Sequence, residues 1–441
     1  MSTRHRLIQG ALVLTLAGFL SRLMGFFFRI FLSHAFGEEN VGLYQLIFPV
    51  YSLYLSLSTA GIQTAISRTV ARMVSLGRHS DARNVLYCGL AVTTVLSFLE
   101  VLILQQNAGD IAVRFLGDAR CEELLLIISY ALPCAAVHSC ICGYCFGMQK
   151  TKVPALSQLI EQTVRICTVV LAFFLLQNSG HQPSIRLAAA GIAAGELSSA
   201  LYCSRLLSRG KEDQPRISLS LFQNTGELLR LSVPLTANRT AVTLLQSIEA
   251  ASIPACLKLF SHSASEALSI YGVLTGMALP CILFPSALTN SVGVMLMPAV
   301  AKKQAAGNPS AITALIRRTA GTCFMLGLAC CLFFLLSGSF IGSAIFHSDM
   351  AGRFIITLAW ICPFLYANSA LMSTINGLGK TFSTFVINSS GLVIRIASVF
   401  LAIPRFGIQG YLWGLLLSQF AVTLLAILLL FRELSRGETI R

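Results

Sequence analysis

Twelve apolar runs, each long enough to cross a bilayer, take up most of this chain and constrain it more than any motif does. A spanning helix needs about 20 predominantly apolar residues. The runs cover residues 7–32, 41–66, 85–104, 124–146, 153–176, 187–207, 228–251, 268–297, 312–336, 354–375, 382–403 and 408–430. Nothing between them is long enough to form a separate domain. Only 11% of the 441 residues are charged, whereas a soluble domain carries about 25%. A soluble enzyme is thereby excluded, and so is disorder, which needs low hydrophobicity and high charge. A transmembrane barrel would show short alternating segments instead. The sequence predicts an all-α integral membrane protein of twelve transmembrane helices.

An even number of spans puts both termini on one side. Segments on that side hold 21 Lys and Arg, among them Arg4, Arg6, Arg68, Arg72, Arg78 and Arg83, and segments on the other side hold six. Cytoplasmic loops of membrane proteins are rich in Lys and Arg, so both termini are expected in the cytoplasm. The same rule accounts for the net charge of +14 without nucleic acid, and leaves anionic membrane lipids as partners of the basic loops. The first run is too long and too interrupted by charge for a cleaved signal peptide. Most of the fourteen cysteines lie inside apolar runs, where cysteine acts as a small hydrophobe.

The two halves repeat. "GMQKT" at Gly147–Thr151 ends the fourth run and "GLGKT" at Gly377–Thr381 ends the tenth, an offset of 230. At that offset Arg165-Ile166 meets Arg395-Ile396, and Gly191 meets Gly414 at 223. This predicts two six-helix lobes related by a parallel repeat, at 1–207 and 228–441, joined by a cytoplasmic linker at 208–227. Such transporters bind substrate between repeats near the midplane and alternate access by rocking. "GLGKT" is not a phosphate-binding loop, because the glycine required five residues before Gly379 is Thr374.

Of the thirteen charged residues inside the apolar runs, nine stand out as candidates: Arg22, Arg29, Arg165, Arg239, Arg395, Glu100, Glu161, Glu196 and Glu249. Each would cost about 2.5–3.5 kcal/mol at a helix centre, so each must face water, another charge or an anion. Arg22 and Arg29 are seven residues apart with no acid on their run, hence near one helix face and about 10 Å apart along it. Guanidinium groups bind diphosphate oxygens in bidentate fashion. The pair therefore reads as an anion site, or as partners for Glu196 or Glu249, or as a snorkelling cation. Glu161 and Arg165 are four apart and read as an internal ion pair. Arg395 lacks that partner, because Gly391 stands where Glu161 would be, and is more available to ligand. Arg239 and Glu249 share a run without sharing a face, and both are candidates for lining a cavity. Glu100 reads as interfacial.

The stretch "HSCICGYC" holds His138, Cys140, Cys142 and Cys145, residue types that bind zinc. A helix spreads them around its axis, so no metal or other cofactor is expected. No nucleophile–base–acid set is recognisable, and an enzyme is not expected. Pro49, Pro133, Pro234, Pro280, Pro285 and Pro363 interrupt runs, as transmembrane helices tolerate.

The stretch from Gly10, "GALVLTLAGFLSRLMGFFFRIFLSHAFGEENVGLYQLIFPVYSLYLSLSTAGIQTAISRTVA", resembles the stage V sporulation protein B family, a polysaccharide-biosynthesis branch of the multidrug/oligosaccharidyl-lipid/polysaccharide exporter superfamily. "SIEAASIPACL", "YGVLTGMALPCILFPSALTNSV" and "NGLGKT" are similar to later landmarks of that family. The resemblance implies a flippase in a bacterial cytoplasmic membrane. Its substrate would be an undecaprenyl-diphosphate-linked saccharide, such as a peptidoglycan or spore-cortex precursor, and cell-wall synthesis enzymes would be partners. It also implies substrate contacts at Arg22 and Arg29, which match the "SR…LGF…R" pattern of lipid II flippases at one residue longer spacing. Those flippases carry further arginines in their second and eighth helices, and runs 41–66 and 268–297 have none. A cation-coupled drug exporter of the same superfamily is the main rival, and it would want acids where the first helix has arginines. A non-transporting scaffold of wall synthesis is the other.

Overall fold

The computed structural model describes residues 3–209, 220–260, 263–305 and 309–439, and among them every regular element is helical. Residues 210–219 of the expected linker lie outside the described residues. Each of the twelve apolar runs falls on helix. Among the described residues eight helices are long and apolar enough to cross a membrane, or up to ten when each of two bent pairs counts as one span. The first of the eight, Leu12–Ser75, covers two of the runs. It is interrupted at Gly37, whose φ of 78° and ψ of 170° no helix contains. A side chain there would oppose the left-handed φ, and glycine has none.

The packing is inverted relative to a soluble protein. Helix His79–Asp110 exposes Val95, Phe98, Leu99, Leu102 and Ile103, while Ser97 and Glu100 on the same helix are buried. Helix Pro309–Phe340 likewise exposes Leu332, Phe333 and Leu336. Apolar surface this continuous needs a lipid solvent, and polar groups turned inward find partners that lipid does not offer. The protein is a multi-pass membrane protein.

The backbone repeats with the offset seen in the sequence. Helix His79–Asp110 continues into a π-helical turn at Ile111–Phe115, and helix Pro309–Phe340 into one at Ile341–Ile345. The next pair bends by 42° between Cys121–Ser129 and Ala131–Gly147, and by 55° between Asp349–Ala359 and Cys362–Gly377. Pro133 and Pro363 follow the two bends at matching positions. The turns after these helices share one hydrogen-bond frame. Met148, Gln149 and Lys150 donate backbone N–H groups to Tyr144, Phe146 and Cys145, and Leu378, Gly379 and Lys380 donate to Thr374, Asn376 and Ile375. Residues 230 apart thus make the same bonds.

The chain divides into two compact units. One holds the chain up to Phe28 together with Leu43–Ala251, and the other holds Arg29–Gly42 with the chain from Ser252 onward. In this division Arg22 and Arg29, on one continuous helical stretch, belong to different units.

Candidate functional site

The first unit contains an open cleft of about 530 Å³ lined by Ser52, Leu55, Ser56, Thr59, Ala60, Gln63, Thr64, Leu235, Asn238, Arg239 and Thr243. Residues 52, 55, 56, 59, 60, 63 and 64 recur at the helical period and form one face. Residues 235, 238, 239 and 243 do the same on helix Ser220–Leu259. The hydroxyls in this wall stay soluble in an apolar helix by donating to carbonyls one turn back. Thr59 Oγ1 reaches Leu55 O at 2.5 Å, Thr64 reaches Ala60 O at 3.2 Å, and Thr243 reaches Arg239 O at 2.9 Å. Ser56 Oγ bonds Leu53 O at 2.8 Å and lies 3.3 Å from Thr240 Oγ1. A hydroxyl that has donated its proton still has lone pairs to accept with.

The one charge in this wall is Arg239, which is exposed and has no ion pair or side-chain hydrogen bond among the described residues. Among the described residues no Asp or Glu lines the cleft. Arg239, Gln63 and Asn238 therefore bring N–H donors to a wall of hydroxyl acceptors, an arrangement suited to an anion carrying hydroxyl groups.

The other sequence candidates lie elsewhere. Arg22 is exposed on the first helix and has no partner among the described residues. Arg29 is half-buried and donates from Nη1 to Thr275 O at 3.2 Å. Thr275 sits in the π-helical turn Val273–Ala278, where the wider turn disturbs the regular backbone ladder and leaves carbonyls to other donors. Arg395 is half-buried on helix Thr381–Leu401, and Glu249 is buried on Ser220–Leu259.

Glu196 belongs to a separate buried group in the first unit. It accepts from Tyr51 Oη at 3.4 Å and faces His138 Nδ1 at 3.4 Å. Glu161 and Arg165 pair at 2.5 Å, as their spacing predicts. Glu100, expected at the interface from its place in its run, is enclosed by protein. It is buried at 7% exposure, ten residues inside its helix, and its Oε2 has no hydrogen-bond partner among the described residues.

Sequence reasoning did not single out Ser52, Ser56, Thr59, Gln63 and Thr64. The signal was available as small polar residues at the helical period inside an apolar run. It passed unnoticed because only charged residues were weighed as misplaced.

The chain matches the polysaccharide biosynthesis protein family over residues 7–304. It is 26% identical over 429 residues to stage V sporulation protein B of Bacillus subtilis (strain 168), covering 96% of this chain and 83% of that one. It is 25% identical over 418 residues to the lipid II flippase MurJ of the same organism, covering 89% of this chain and 76% of MurJ. Its fold is similar to that of an inward-facing multidrug resistance MATE family transporter, with a TM-score of 0.74 at 16% identity over 96% of both chains. That likeness fixes the two-lobe fold and does not choose a substrate. On the family match, the chain belongs to the polysaccharide biosynthesis protein family.

Proposed function

We propose that this protein is a flippase that moves a lipid-linked saccharide diphosphate across the cytoplasmic membrane of a bacterium. The observation that carries the reading is a cleft in which Arg239 is the one charge, and no acid appears, among the described residues. A diphosphate needs desolvated cationic and amide N–H donors, and sugar hydroxyls need acceptors, and the wall supplies both. A cationic drug would need carboxylates, which this wall lacks. The relatives named as a sporulation protein and a lipid II flippase support the same substrate class. On this reading the substrate is a peptidoglycan or spore-cortex precursor on an undecaprenyl carrier. No bond is made or broken, so the protein does transport and not chemistry.

Twelve spans with both termini in the cytoplasm complete the reading, on the Lys and Arg asymmetry of the loops. Arg22, exposed in the same unit and without a partner among the described residues, is proposed as a second phosphate contact. Arg29 already donates to a carbonyl, and Arg395 is half-buried; both rank after it.

The test is a flipping assay in proteoliposomes with a fluorescent undecaprenyl-diphosphate-linked saccharide. Arg239→Ala is expected to lower the rate at least tenfold with the melting profile unchanged, because the side chain is exposed and holds nothing in place. Arg239→Lys is expected to recover part of the rate, keeping the charge and losing the planar fork. Full transport by the alanine variant would remove the cleft from the mechanism. Transport of cationic dyes with no saccharide activity would favour a drug exporter.

A further inference from the structure

The buried group around Glu196 includes side chains that flipping a saccharide does not use. His138 and Cys142 stand one turn apart on helix Ala131–Gly147, and Cys203 comes from helix Arg186–Arg209. One ring nitrogen and the two sulfurs lie within 4.8 Å of one another. The cysteines are free thiols and buried.

The imidazole is held from behind. Its Nδ1 faces Glu196 Oε2 at 3.4 Å, while Nε2 faces Ser157 Oγ at 3.0 Å. Cys142 Sγ lies 3.7 Å from the same Ser157 oxygen. A carboxylate that accepts from Nδ1–H leaves Nε2 as the nitrogen to ligate a metal, the way a metal-bound histidine is usually oriented, while Ser157 Oγ, which donates to Pro154 O at 2.9 Å, meets Nε2 and Cys142 Sγ with its lone pairs.

We propose that His138 Nε2 and the thiolates of Cys142 and Cys203 form a binding site for a soft divalent cation of the zinc class, with Glu196 as the group that orients the histidine. Three nitrogen and sulfur ligands meet the preference of zinc, and Ser157 or water can complete a tetrahedron. Metal–sulfur and metal–nitrogen lengths of about 2.3 and 2.0 Å require ligand atoms about 3.4–3.8 Å apart, so no separation closes by more than about 1.4 Å. Binding releases the thiol protons.

A second trio, His138, Glu161 and Glu196, also comes within 4.8 Å. It is the poorer site, because Arg165 already occupies Glu161 at 2.5 Å and its charge opposes a cation there.

The repeat supplies an internal comparison. The offsets of 230 and 223 put Asn368, Met372 and Ala426 where His138, Cys142 and Cys203 stand, and Gln419 where Glu196 stands. Asn368 Nδ2 donates to Gln419 Oε1 at 2.9 Å. The second half thus joins the same two helices through neutral amides, with no thiol and no imidazole. Helix joining does not explain the residues of the first half, and a ligand does.

The experiment titrates the metal-free, detergent-purified chain with Co²⁺ and then with Zn²⁺. The expected result is one Co²⁺ per chain with visible tetrahedral bands and a near-ultraviolet thiolate charge-transfer band, both erased by Zn²⁺. The double variant Cys142→Ser/Cys203→Ser should lose the charge-transfer band. Glu196→Gln should weaken binding about 10–100-fold, and Glu161→Gln should leave it unchanged. The wild-type spectrum alone is decisive if a variant fails to fold. No charge-transfer band, or one that persists in the double variant, overturns the site. Tetrahedral bands without charge transfer would place the ion on oxygen ligands and overturn it equally.

Discussion

His138 and Glu196 in the first half occupy the positions that Asn368 and Gln419 occupy in the second. The first pair meets at 3.4 Å and the second at 2.9 Å. The second pair is built into a neutral network, in which Asn368 also donates to Gln419 O at 3.2 Å and accepts from Thr423 at 2.8 Å. The first is ionisable and stands beside a half-buried ion pair, Glu161 and Arg165. One backbone arrangement therefore tolerates either chemistry. The charges of the first half are a choice, retained against the cost of burying them.

The helix contact nearby shows the same freedom in packing. In the first half the small residue is Gly195, where an added methyl would lie 2.8 Å from Glu161 O. In the second half it is Gly391, where a methyl would lie 2.6 Å from Val422 and 3.2 Å from Ser418 Oγ. Gly391 stands where Glu161 does, and Ser418 where Gly195 does. The glycine that lets the helices approach has moved from one helix to the other, and Ser418 Oγ uses the space to bond Gly391 O at 2.9 Å.

The sharpest way to break this comparison is to strand one partner and then transplant the pair. Glu196→Ala leaves His138 and Tyr51 without their acceptor in a buried site, and is expected to cost about 3 kcal/mol. Unfolding in detergent, followed by helicity, measures it. The double variant His138→Asn/Glu196→Gln copies the second half and should stay within about 1 kcal/mol of wild type, since both amide groups can be satisfied. A double variant as unstable as the single one would mean that the two halves are not interchangeable here.

A smaller effect is expected at the crossed glycine. Gly391→Leu should cost about 1–3 kcal/mol, because the side chain enters a filled contact and the helices must separate. Gly195→Leu should behave alike. If either variant melts like wild type, the close approach in that half is not set by the glycine.

Much of this was legible in the sequence, and the reasons are local. Apolar runs, the GMQKT and GLGKT turns and the Glu161–Arg165 pair depend on residues within a few turns of one another, so period and spacing expose them. The meeting of His138 with Glu196, 58 residues away, depends on which helices pack, which no single-chain pattern reports. The burial of Glu100 was hidden for a related reason, because distance to the end of an apolar run does not report which helices pack against the residue, and the helix runs on to Asp110. The division of the first helix between two units was also hidden, because Arg22 and Arg29 read as one face on a continuous helix and only packing separates them. The cleft was half legible, since Arg239 stood out as a charge while its uncharged neighbours did not.

The smallest effect expected lies in the paired turns. Gln149 has φ of 59° and Gly379 has φ of 80°, in the same hydrogen-bond frame. A left-handed φ costs a residue with a side chain about 1–2 kcal/mol, and glycine avoids that while losing about 0.5–1 kcal/mol to its freedom when unfolded. Gln149 is exposed and makes no side-chain hydrogen bond among the described residues, so nothing offsets the strain. Gln149→Gly should then stabilise the chain by about 0.5 kcal/mol, and Gly379→Ala should destabilise it by about 1 kcal/mol. Equilibrium unfolding of both variants in one detergent checks the pair, since their effects must have opposite signs. A destabilised Gln149→Gly variant would show that the first turn draws on contacts its twin lacks, and would limit the equivalence of the halves to the backbone.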